Sequence, residues 1–167
     1  MPRYLVIDGY NAINKITFLK AKRESSLECS RNEFIRILQN FLYQKKTFSK
    51  VFLVFDSKEE ALGVCRHKYG NVEVLFANSY KDADKVIVDI LRKVDKKDSV
   101  TVASDDNFVR NHAKVFICDT ITIKELENII MLKKDTLRSK INLKEKSMDN
   151  DHIKDINEEL KKHWRLI

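Results

Sequence analysis

Two apolar runs in this 167-residue chain stop at an aspartate, and a third ends one residue before one. Asp8 closes "YLVID", Asp56 closes "VFLVFD", and Asp105 follows "VTVAS" with Asp106 beside it. Asp82 and Asp84 open the helical pattern after "VEVLFA", and Asn11 stands three residues past Asp8 in "DGYN". Taken singly, each acid reads as a turn residue or a helix cap. Taken together they read differently, because parallel strands bring their C-terminal tips to one rim, and carboxylates gathered there repel one another unless a cation intervenes. Hard oxygen donors of this kind suit Mg²⁺ or Mn²⁺, which keep waters and bind one or two carboxylates plus a substrate phosphate. Such an ion lowers the pKa of bound water. The chemistry expected is phosphodiester hydrolysis without a covalent protein intermediate.

Other chemistries fit less well. Neither GxGxxG nor GxxxxGK[ST] occurs, so the phosphate-cradling loops of dinucleotide enzymes and P-loop NTPases are missing. A haloacid-dehalogenase phosphatase wants a second Asp where Tyr10 stands. A phospho-accepting receiver domain, conceivable through Asp8 and Asp56, wants an acid where Gly9 stands. His67, His112, His152 and His163 show no ligand spacing. Cys29, Cys65 and Cys118 form no zinc or disulfide pattern and read as reduced thiols, with Cys118 buried in a strand.

The elements that must position the acids follow from periodicity. Strands are expected at 3–8, 50–56, 71–77, 98–104 and 113–118, mostly as near-continuous apolar runs covered on both faces. Helices are expected at 31–46, opened by a Ser30/Glu33 capping box, at 82–94 with Asp82 as N-cap, at 105–113, and at 122–130 behind a Thr122/Glu125 box. Strands alternating with helices predict an α/β fold with a mostly parallel sheet of about five strands. Residues 132–167 are polar, helical in propensity and motif-free. They read as an appended tail after a domain at 1–131.

The net charge of +7 points to a polyanion. Ten Lys/Arg against seven Asp/Glu lie in residues 131–167, leaving 22 against 18 before them. A basic body around an acidic spot is expected of a metal-dependent nuclease. The segment "CRHKYG", read as a loop after Asp56, offers Arg66, His67 and Lys68 to phosphates and Tyr69 to an unpaired base. Lys20, Lys22 and Arg23 add charge, and Tyr10 is expected to pack. The longest apolar run, "VFLVF", is far short of a membrane span. No leader pattern precedes the first strand, so a cytoplasmic location is expected.

"YLVIDGYNAI", "VFLVFD", "VEVLFANSYKDADKVI", "VTVASDDNF" and "ITIKELENI", in this order over about residues 3–131, resemble a YacP-like NYN domain of the PIN-like nucleases. The resemblance implies a three-layer α/β/α domain and a metal-dependent endoribonuclease acting on single-stranded RNA, including messenger RNA on the ribosome. By the same resemblance Asp8 is the first metal-binding acid with Asn11 beside it, Asp84 the helix-borne acid and Asp105 the acid after the penultimate strand. Asp56 and Asp106 are further metal candidates, and Asn107 stands where many relatives carry an acid. The basic tail, with its Trp164-Arg165 pair, is expected to dock on RNA or ribosome. The alternative is an RNA- or ribosome-binding module with a degenerate nuclease site.

Overall fold

The computed structural model describes residues 2–56, 65–77, 82–94 and 99–131. Six strands are described: β1 (Arg3–Asp8), β2 (Lys50–Asp56), β3 (Cys65–Tyr69), β4 (Val72–Ala77), β5 (Ser99–Ala103) and β6 (Asp119–Ile121). The helices are α1 (Gly9–Lys15), α2 (Thr17–Ser25), α3 (Leu27–Gln44), α4 (Ala83–Lys93), α5 (Asn107–Val115) and α6 (Ile123–Met131). All belong to a unit that ends at Ile130, apart from the last residue of α6. The expected basic tail, 132–167, lies outside the described residues.

The sheet runs β3-β4-β2-β1-β5-β6, parallel throughout except for β3, which pairs antiparallel with β4. Chain order reverses between β1 and β5. After β1 the chain winds one way through β2 and β4, then returns past β1 to β5 and β6. The C-terminal ends at such a reversal open a crevice, the usual ligand position of open α/β sheets.

Strand alternation decides which side chains face that crevice. Tyr4 and Val6 of β1, Phe52 and Val54 of β2, Leu75 and Ala77 of β4, and Val100 and Val102 of β5 share one core. Ala83, Val86, Ile87 and Leu91 of α4 and Val109 and Ala113 of α5 complete it. Continuing the period of two puts Asp8, Asp56 and Ser104 on this same face, one pleat past the last core residue of each strand. The alternate residues Leu5, Ile7, Leu53 and Phe55 are fully buried too. They turn to the opposite layer, where α1 packs on β2 and α3 on β4. Burying a side chain such as Phe34, Leu38 or Leu5 stabilises by about 1.5–3 kcal/mol, so packing outweighs local propensity in fixing the layers.

Gly9, the second residue of "DGYN", is buried at the start of α1. A Cβ there would overlap the Phe55 ring and stand 2.8 Å from the Val54 carbonyl oxygen. The chain needs a glycine so that α1 can begin directly against β2, immediately after Asp8. Tyr10 packs on Phe55 with ring centroids 5.1 Å apart, as expected.

Several expectations are corrected. Residues 65–69 form the edge strand β3 rather than a loop, turned by Gly70 at φ 62°. Residues 113–115 continue α5 instead of starting a strand, and Cys118 sits, half-buried, between α5 and β6. The helix ends in a Schellman-type cap: Cys118 N donates to Ala113 O (2.9 Å) and Ile117 N to Lys114 O (3.0 Å). The left-handed position, normally glycine, is Ile117 at φ 57°. A β-branched residue there is strained, and sequence alone gives no reason to expect it. Ser30 is no cap: it is buried, and its hydroxyl donates to Leu19 O (2.9 Å). Ser26 is the N-cap of α3, accepting from Cys29 N (3.3 Å). Glu33, the other half of the expected box, instead pairs with Arg36 and Lys22. The Thr122/Glu125 box is present, with Glu125 Oε2 accepting from Thr122 N (2.7 Å) and Thr122 Oγ1 accepting from Glu125 N (3.1 Å).

Candidate active site

The acids cap helices and also converge. Asp8 Oδ1 accepts from Asn11 N (3.1 Å), capping α1. Asp56 Oδ1 accepts from Ala83 N (2.6 Å), so a strand-end carboxylate caps α4. Asp82 holds the N-cap position of α4 without a side-chain cap bond. Asp106 Oδ1 takes Phe108 N (2.7 Å) and Val109 N (3.3 Å), capping α5. Each cap uses one carboxylate oxygen and leaves the other, Oδ2, outside the cap.

Asp84, in the first turn of α4, reports the convergence. Burial, and after it the negative charges of Asp106, Asp8, Asp56 and Asp82, raise its carboxyl to about 6. Asp8 is raised as well, mainly by burial, against hydrogen bonds from Asn11 and Ser104 that favour its charged form. The structure thus gathers Asp8, Asp56, Asp84 and Asp106 at the crevice between β1 and β5.

Asp105 is engaged elsewhere. Its Oδ2 pairs with Lys15 Nζ (2.8 Å), and its Oδ1 accepts from Ile123 N (3.1 Å) at the start of α6. Its pKa is lowered: the Lys15 hydrogen bond and charge, Ile123 N and the Arg110 charge outweigh its partial burial. Of the adjacent pair, Asp106 bears on Asp84, and Asp105 ties α1 to α6.

Ser104, which the sequence did not single out, joins the group. Its Oγ accepts from Asn11 Nδ2 (3.2 Å) and Asp106 N (3.0 Å) and donates to Asp8 Oδ2 (3.3 Å). Two N–H donors fill both lone pairs, so the hydroxyl proton must point at Asp8. Ser104 is fully buried. This network fixes Asn11 and Asp8 relative to the start of α5. The only signal in the sequence was the position of Ser104, two residues past Val102 in the strand alternation.

The expected RNA-binding residues are scattered. Arg66 pairs with buried Glu73 (2.7 Å), Lys22 with Glu33 (3.4 Å) and Arg23 with Asn14. Lys68 and Tyr69 are exposed toward the far end of β3, which runs away from the rim three strands from β1. None of these joins the carboxylate group, and Lys20 is exposed on α2.

Among the described residues, no three His, Cys, Asp or Glu side chains stand close enough to grip a metal ion by themselves. The donor set still fits a hydrated Mg²⁺ or Mn²⁺, which takes one or two carboxylates and keeps waters. Asp84, facing four other acids, is the kind of site such an ion stabilises.

The doubly wound sheet with carboxylates at its reversal point defines an α/β domain with an acidic crevice. Residues 5–167 match the YacP-like NYN domain family, and the chain belongs to it. That family is one of PIN-like nucleases, whose substrate class is RNA. The fold is also similar to crystal structures of Rae1 (YacP) from Bacillus subtilis. One of them matches at 23% identity with a TM-score of 0.66, over 97% of this chain and 94% of that one. A tryptophan-to-leucine mutant of the same protein matches at 23% identity with a TM-score of 0.67, over 85% and 82%. A comparison with curated proteins finds no match.

Proposed function

We propose that the chain is a Mg²⁺- or Mn²⁺-dependent endoribonuclease that hydrolyses phosphodiester bonds in single-stranded RNA. One observation carries the reading. Burial, and after it the charges of Asp106, Asp8, Asp56 and Asp82, raise the Asp84 carboxyl to about 6, an arrangement that costs folding energy and is relieved by a divalent cation. Asp8, Asp84 and Asp106 would face the ion, one or two of them directly and the rest through its waters, with Asp56 beside them. When bound, the ion supplies a water of lowered pKa and neutralises the phosphate. Asn11 and Ser104 hold the Asp8 carboxylate in one orientation through their shared hydrogen bonds. Asp105, engaged with Lys15 and Ile123, stands outside this machinery as a structural acid.

The family resemblance adds a messenger RNA on the ribosome as substrate, and the cytoplasm as the place of action, to the same reading. The test is incubation of unstructured RNA, and separately of translating ribosomes, with wild-type and Asp84→Asn protein in Mn²⁺ or EDTA. Cleavage by the wild type in Mn²⁺ alone, lost in the variant, is expected. A wild type inert toward both substrates sinks the nuclease reading in favour of a pure binding module.

A further inference from the structure

We infer that the groove between α4 and α5 holds an unpaired RNA base stacked on Phe108 beside His112, with Lys85 and Arg92 against its phosphates. The inference rests on the proposed function, because it places the substrate's path next to the carboxylates. The groove is lined by Lys85, Val88, Asp89 and Arg92 of α4 and by Phe108 and His112 of α5. It opens one residue past Asp84 and two past Asp106, so it runs down from the crevice. Arg92 lies eight residues beyond Asp84, about 12 Å along the helix.

Its chemistry is that of a base platform. Phe108 is 48% exposed, although Val109 and Ala113 of the same helix are buried in the core. The Phe108 and His112 rings lie 4.2 Å apart between centroids at 43°, forming a two-ring surface. His112 Nδ1 is 2.9 Å from Phe108 O. A carbonyl oxygen can only accept, so Nδ1 carries the proton, and Nε2 of the neutral ring is an acceptor. The imidazole is thereby held in one orientation and presents its acceptor to an exocyclic amine or a 2′-hydroxyl. Among the described residues, Lys85 and Arg92 make long exposed contacts, to Asp82 (3.4 Å) and Asp89 (3.8 Å). Such pairs contribute little and yield readily to a phosphate. Aromatic rings flanked by cations bind single strands through stacking plus backbone charge, and a duplex, whose bases are already paired, cannot use the rings.

The test measures binding of a fluorescent, unstructured oligoribonucleotide, and of the same sequence as a duplex, to the full chain in EDTA. Wild type, Phe108→Leu and Phe108→Tyr are compared after melting curves establish equal folding. Loss of the ring in Phe108→Leu is expected to weaken single-strand binding by roughly 5- to 150-fold, leave duplex binding unchanged, and be rescued in Phe108→Tyr. Equal loss on both forms, or no loss on either, overturns the base platform. Because binding is read in EDTA, where the proposed enzyme is inert, a single-strand-specific loss together with a wild type that cleaves nothing in Mn²⁺ would sink the proposed function and keep the platform. Wild-type protein that binds no single-stranded RNA sinks both.

Discussion

Two acidic places in this domain solve opposite problems. On β4, Glu73 is 1% exposed, yet Lys50 and Arg66 reach it from the neighbouring strands. Its charge is answered inside the fold. At the crevice between β1 and β5, Asp84 is less buried, and after burial the influences that shift it are the charges of Asp106, Asp8, Asp56 and Asp82. There the fold gathers negative charge. A buried acid with its own cations is architecture, whereas acids held against one another are arranged for something that arrives from outside. The neighbours Asp105 and Asp106 repeat the contrast at one-residue resolution: Asp105 has Lys15, and Asp106 has Asp84.

The largest expected effect breaks the compensated side. Replacing both Lys50 and Arg66 by Met strands the Glu73 carboxylate and should cost about 3–5 kcal/mol in urea denaturation. Adding Glu73→Leu to that background should recover most of the loss. If the double variant is as stable as wild type, Glu73 is not held by those cations.

The crevice side should respond to metal instead. Mn²⁺ at 100 times its Kd is expected to stabilise the wild type by about 2.7 kcal/mol, read as a rise in melting temperature. Asp84→Asn and Asp106→Asn should lose most of that rise. Asp105→Asn should keep it, at a metal-free cost of about 1 kcal/mol or less for the lost ion pair and the weakened cap of α6. The opposite pattern between residues 105 and 106 would reverse the assignment made above.

A smaller effect follows from pH. The native state holds the Asp84 proton up to about 6, against an ordinary value of 3.8. Between those values the native state binds more protons than the unfolded chain, so stability falls as pH rises through that window. Metal-free Asp84→Asn should therefore flatten the dependence of unfolding free energy on pH from about 4 to 6 and, with solvent screening discounted, gain about 1 kcal/mol at pH 7. A steep fall that survives the substitution would have to come from another group.

Away from both places, Ile117 holds a left-handed turn at φ 57° and is 95% exposed. Ile117→Gly should stabilise by up to about 1 kcal/mol in thermal unfolding, since relief of backbone strain is partly offset by the freer unfolded chain. That substitution should leave the metal response untouched.

The sequence determined the layers and the location of the acids. Apolar runs stopping at Asp8 and Asp56, with a helical period in 82–94, were sufficient for an α/β sheet with carboxylates on one rim, because strand and helix periods are local properties of side-chain order. Local order also misled. "AKVFIC" has strand-like residues, yet α5 runs on through Val115 because Ala113, Phe116 and Cys118 all join the core shared with α4. "CRHKYG" looks like a charged loop, yet it pairs along β4 and gives Arg66 to Glu73. Which of two adjacent acids faces the crevice could not be read from "SDD", since that depends on where Lys15, Ile123 and Asp84 lie after folding. Ser104 likewise became part of the site only when β5 came to lie beside β1. Tertiary structure decided these points because a carboxylate's role is set by the charges and donors around it, and those come from parts of the chain far away in sequence.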